Sequence, residues 1–298
     1  MTVRTRTVTI PSEGATLTGE VFLPADAADG ARLPAVVVTG SWTTVRQQMS
    51  NLYARHLAEQ GYLALTFDFR GYGDSEGEPR DYESPELKIR DIHNAVTFLA
   101  SYPLADSGRI GALAVCASSG YTAVNAATDA RVRSMALIAP WLHDADLVQA
   151  IYGGPEGVRQ RIEAGERATT LWRETGQVEY VPAVSATDPG AAMYGPFDYY
   201  LDCDRGAIPQ WGNRFAIMAW PGWLAFDPIA VAPEIQTPTL LVHSEDAAVP
   251  DGARRFHADL AGAKQIIWTT GEQFDFYDRE PAVKAAVDAV AAHFASTL

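Results

Sequence analysis

The sequence predicts an α/β chain: a mostly parallel, eight-stranded sheet with helices on both faces and one long insertion. Three observations predict it. Short apolar runs recur along the chain, as in strands buried on both faces. Segments with apolar residues at helical spacing separate them, so strand and helix alternate. One interval, 141–235, breaks that rhythm and is dense in aromatic residues.

The elements follow in order. Residues 2–10 and 16–24 alternate β-branched and polar residues around Pro-Ser-Glu-Gly, a hairpin at one edge of the sheet. Pro34–Thr39 is a buried strand ending at Gly40, and a helix is expected from Thr44 to Glu59, stopped by Gly61. Tyr62–Phe69 is the next strand, 70–77 a Gly-rich loop, and 84–101 a helix with Ile89, Ile92, Val96 and Leu99 at helical spacing. Strand 109–115, helix 117–128 and strand 133–139 continue the alternation. Strand 238–243, helix 251–261, strand 264–269 and helix 281–296 complete it. The core is therefore 1–140 with 236–298. Residues 141–235, with thirteen aromatics and five of the seven tryptophans, are an aromatic-rich cap insertion over the sheet's carboxyl edge, where apolar pockets form.

Composition excludes several classes. At 298 residues and 47% hydrophobic, the chain can bury a large core. A net charge of -14 disfavours nucleic acid and anionic membrane. Two cysteines, Cys116 and Cys203, make no disulfide framework. The N-terminal residues do not read as a signal peptide, and no apolar run reaches the roughly 18 residues of a membrane span, so a cytoplasmic location is expected. Neither metal-ligand spacing nor a phosphate-binding glycine loop occurs, and no metal or cofactor is expected. The expected partner is a small-molecule substrate; a homodimer is left open.

The richest segment is Arg109–Tyr121, a buried strand running through small residues into a helix. A nucleophile at the apex of such a turn needs small neighbours and projects at a helix N-terminus, which favours an anion. Ala114-Val-Cys116-Ala-Ser118 stands in the Gly-x-Ser-x-Gly register, and strand length favours Cys116 over Ser118. A cysteine there is expected to have a lowered pKa.

With Val36–Met49, Phe67–Gly77, Cys116–Tyr121 and Phe274–Asp278, the chain resembles the α/β-hydrolase superfamily. It is most similar to its dienelactone-hydrolase-like and Xaa-Pro-peptidase-like hydrolases, including polyketide-transferase relatives. The resemblance implies an oxyanion hole from the Ala117 N–H and from Trp42 or Ser41. It also implies a triad acid at Asp246, with Glu245 the alternative. The base should follow Gly271, where relatives carry histidine, but Gln273 stands there. Glutamine cannot accept a proton as a general base.

Four readings stay open: an enzyme that transfers acyl groups or catalyses a non-hydrolytic reaction; a substitute base at His143; an engineered base knockout; and a silent binding protein. Under the first, Cys116 is acylated from an apolar ester, lactone or acyl compound, and Gln273 orients ligand or water. Ser41, Trp141, Trp220 and Trp223 are expected to contact substrate.

Overall fold

The computed structural model describes residues 3–28 and 30–298. Thr2, where the first strand was expected to begin, lies outside the described residues, as do Met1 and Asp29 of the expected core.

Eight strands form one sheet in the order β1-β2-β4-β3-β5-β6-β7-β8. They are β1 (Val3–Ser12), β2 (Ala15–Pro24), β3 (Leu33–Thr39), β4 (Leu63–Phe67), β5 (Ala105–Val115), β6 (Val132–Ile138), β7 (Thr239–Ser244) and β8 (Lys264–Thr269). β1 and β2 form the antiparallel hairpin, and β2 pairs antiparallel with β4. All later neighbours are parallel. Every residue of β4 and of β7 is buried, the consequence of helices covering both faces. β1 instead turns Arg4, Thr5 and Arg6 outward, which suits an open edge.

Helices α1 (Met49–Glu59), α2 (Pro85–Ser101) and α3 (Ser118–Thr128) follow β3, β4 and β5. α2 is capped by Ser84, whose Oγ accepts from the Leu87 N–H at 3.3 Å, with Pro85 at its first turn. Between β6 and β7 come α4 (Ala145–Ile151), α5 (Gly154–Thr175), α6 (Asp198–Leu201) and α7 (Trp220–Leu224), with two short ladders, 180–182 with 214–216 and 184–185 with 193–194. α5 packs on α7, and Gly165 makes that approach possible: a Cβ there would meet Pro221 Cδ at 2.3 Å. The chain closes with α8 (Pro250–Asp259), α9 (Asp275–Asp278) and α10 (Glu280–Thr297). α1 packs with α10 as one layer, α2 with α3 as the other.

α1 begins at Met49, five residues later than expected from Thr44. Side chains divert the preceding amides: the Val45 N–H donates to Gln48 Oε1 (2.9 Å) and the Arg46 N–H to Asp68 Oδ1 (2.7 Å). A hydrogen-bonded loop results instead of a helical turn.

Strand order locates the site. From β3 the chain crosses to β4 on one side; from β5 it crosses to β6 on the other. The adjacent carboxyl ends of β3 and β5 are therefore the topological switch point, where a crevice opens. Ser41-Trp42 follow β3 there, and Cys116 follows β5.

Candidate active site

Cys116 joins β5 to α3 with φ 58, in the left-handed region that non-glycine residues rarely enter. The strain is held from outside: the Cys116 N–H donates to the Ile138 carbonyl and its carbonyl accepts from the Trp141 N–H, both at 3.0 Å. Thr43 (φ 62), Ala139 (φ 40) and Val249 (φ 56) are strained in the same way in the loops after β3, β6 and β7. Strain thus gathers at the carboxyl ends of the central strands.

These loops surround a cavity of about 850 Å³, whose wall includes Ser41, Trp42, Cys116, Ala117, Asp246 and Gln273. Trp141 and Trp223 also line it. Ser118, the rival apex, starts α3 fully buried and does not line the cavity.

Cys116 is only 6% exposed. Burial pushes its thiol up, and the surrounding Ser41 and Tyr277 hydroxyls and Ala117 and Trp42 backbone amides pull it only partly back. The expected lowered pKa is therefore corrected: desolvation outweighs the helix terminus and the polar neighbours. The Ser41 N–H is occupied by Met49 Sδ at 3.4 Å, so Trp42 and Ala117 are the backbone donors beside the sulfur.

Gln273 does not meet the sulfur by a hydrogen bond. Its Nε2 donates to the Ala139 carbonyl (2.9 Å) and to Tyr277 Oη (3.2 Å), while its Oε1 accepts from the Ala248 N–H (2.9 Å). Both amide hydrogens are spent on protein partners, so Gln273 braces Tyr277 and turns toward the cavity with only the second lone pair of its Oε1 left for a ligand or water. Tyr277 Oη in turn lies 3.0 Å from Ser41 Oγ, which lies 2.8 Å from Tyr200 Oη. Three buried hydroxyls thus stand beside the thiol where a base was expected.

Asp246 is exposed on the cavity rim and makes no hydrogen bond to Gln273; the neighbouring Ala248 amide does so instead. Glu245, its alternative, is paired with Arg254.

His143 is corrected as a substitute base. It is buried outside the cavity wall, Trp141 Nε1 donates to its Nδ1 at 2.9 Å, and its Nε2 faces the Trp223 carbonyl at 3.2 Å. Burial lowers its pKa to about 4, so it is neutral with both nitrogens engaged. Trp220 is corrected as a substrate contact: it is 6% exposed and missing from the wall, packed among Trp42, Phe215 and Tyr152 with the Arg161 guanidinium over its ring at 5.3 Å.

The loop after β3 is braced from beneath. Glu83, fully buried, takes the Thr43 N–H (2.9 Å), the Tyr72 and Tyr121 hydroxyls (2.9 and 2.7 Å) and the buried Lys88 ammonium (2.7 Å). Sequence reasoning missed Glu83, Lys88, Tyr200 and Tyr277. Tyr277 could have been found, because it lies one helical turn after Gln273. Tyr200 is 159 residues from Ser41, and no local signal links them.

A strained apex between β5 and α3, two convergent backbone amides and a cavity at the switch point are the geometry of one large family. The model of the "Alpha/beta hydrolase family" matches residues 33–286. The chain belongs to the α/β hydrolase family. It is 30% identical over 282 residues to the uncharacterized protein PA2218 of Pseudomonas aeruginosa, covering 89% of this chain and 74% of that one. The crystal structure of PA2218 superposes with a TM-score of 0.87 over 99% of this chain and 94% of that one, at 27% identity. The chain is also similar to the polyketide transferase claH of Penicillium crustosum, 36% identical over 45% of this chain and 43% of that one. The thiohydrolase aneE of Aspergillus aculeatus is 32% identical over 58% of this chain and 53% of that one. No described helix of this α/β hydrolase is long and apolar enough to cross a membrane.

Proposed function

We propose that this α/β hydrolase is an acyl-transferring enzyme in which Cys116 takes the acyl group of an apolar ester, lactone or thioester. The Cys116 sulfur attacks the acyl carbon, and the Ala117 and Trp42 N–H groups meet the oxyanion. The bond to the leaving alcohol or thiol then breaks, and the thiol proton ends on that group. The observation that carries the reading is Cys116 at a strained apex, in the wall of the cavity, with those two amides beside it. The relatives named thiohydrolase and polyketide transferase support acyl chemistry. Residues 141–235 act as a cap that supplies Trp141 and Trp223 to the cavity wall.

With Gln273 in place of a base, water is poorly activated, so the acyl-cysteine outlives its formation and passes to an acceptor other than water. Asp246 has lost its imidazole partner and faces solvent. A second reading, a silent binding protein, is favoured by the raised thiol pKa. Incubation with an activated thioester followed by intact-mass measurement separates the two. The enzyme reading expects one acyl adduct, mapped to Cys116 and absent from Cys116→Ala. No adduct on the native protein, even at alkaline pH, would leave the binding reading.

A further inference from the structure

We propose that Arg161 is the subsite for an anionic group on the substrate, a carboxylate or phosphate held some distance from the reacting carbonyl. This rests on the reading of the cavity as an acyl site and names the substrate class more narrowly.

Three arginines line the cavity: Arg161, Arg205 and Arg279. Arg205 is paired with Asp278 at 2.6 Å, and Arg279 lies 3.9 Å from the same carboxylate. Arg161, on α5, bonds only backbone carbonyls and has no carboxylate within ion-pair distance among the described residues, although the protein carries an excess of fourteen negative charges. Asp198, Asp246, Glu272 and Asp275 line the same cavity but do not reach it.

The guanidinium is nonetheless fixed in place. Nη1 donates to the Tyr152 and Gly157 carbonyls at 3.0 and 3.1 Å, and Cζ sits 5.3 Å from the ring centres of Tyr152 and Trp220. Nε and Nη2 make no hydrogen bond to the described protein. A half-buried charge in an aromatic wall, with one edge of its donor fork unused, matches a planar oxyacid group that takes two parallel N–H bonds. Tyr152 joins this point to the nucleophile: it packs under Arg161, accepts from Trp223 Nε1 at 2.7 Å, and lies within electrostatic reach of Cys116. The anion would therefore sit in the same cavity as the sulfur, further along its aromatic wall.

Calorimetric binding to the Cys116→Ala protein tests this without any chemistry. The probes are the N-acetylcysteamine thioester of octanoate, the matching thioester of octanedioate with a free far carboxylate, and octanoyl-coenzyme A. An anionic probe should bind about tenfold or more tighter than the uncharged one, the scale of charge-assisted hydrogen bonds. Preference for the octanedioate probe puts the anion on the acyl chain; preference for the coenzyme A probe puts it on the thiol side. Adding Arg161→Met should erase the preference, and Arg161→Lys should keep part of it. Equal binding of all three probes, or a preference that survives Arg161→Met, overturns the proposal. Failure to acylate Cys116 would sink the enzyme reading alone, because these measurements do not depend on acylation.

Discussion

At residue scale the decisive balance is at Cys116. The apex geometry presents a sulfur to the cavity, yet burial keeps it protonated at neutral pH. A thiol whose pKa lies above its ordinary 9.0 gains thiolate about tenfold per pH unit until that pKa is passed. Acyl capture from a thioester should therefore climb with that slope between pH 7 and 9, followed by stopped-time mass measurement. Gln273→His puts a titratable ring one contact from the sulfur, with Tyr277 between. It should raise turnover by an amount within the roughly 10²–10⁴-fold typical of a general base and flatten the pH profile above about pH 7. A rate that stays unchanged would mean that Tyr277 blocks the ring from the sulfur; adding Tyr277→Phe then tests that directly.

At the scale of elements, the loop between β3 and α1 is held by an ion pair it does not contain. Glu83 and Lys88 are both buried, and Glu83 fixes the strained Thr43 next to Trp42. Burial pulls the Lys88 ammonium below its usual value, and Glu83 opposes that pull. Breaking such a pair from one side leaves an uncompensated charge and costs about 3–5 kcal/mol. Lys88→Met should therefore lower the unfolding free energy by about that much in a guanidinium titration. The double variant Glu83→Gln/Lys88→Met should recover part of the loss in stability, because a neutral amide leaves no uncompensated charge and keeps an acceptor among the Tyr72 and Tyr121 hydroxyls, while the Thr43 amide, left with a weaker and shared acceptor, loosens the Trp42 N–H. Stability should return further than acyl capture does. Equal recovery of both would show that Glu83 does not position the loop.

At the scale of the whole molecule, two buried neutral histidines set the acid limit. Burial lowers both His143 and His243 to about 4 from the usual 6.5. As pH falls below about 6.5 the unfolded chain binds protons that the folded chain refuses, so stability is lost between about 6.5 and 4. Each histidine contributes roughly 3 kcal/mol to that loss. Denaturation at pH 7 and pH 5 should show it, and His243→Leu should make the difference smaller. The sheet, its edge hairpin and the apex are legible in the residues alone, because strand burial and a tight strand-to-helix turn leave local marks in residue type and spacing. The sequence also placed Gln273 in the cavity wall. It could not reveal that Tyr277 stands between that amide and the thiol, that Asp246 has no hydrogen-bond or ion-pair partner among the described residues, or that Arg161 has no carboxylate partner among them. Charge balance and hydrogen-bond partners join residues far apart in the chain, as Ser41 meets Tyr200, and periodicity carries no trace of such pairings. Only the packed structure decided the sulfur's pKa too, since burial is a property of everything around it rather than of the turn that bears it.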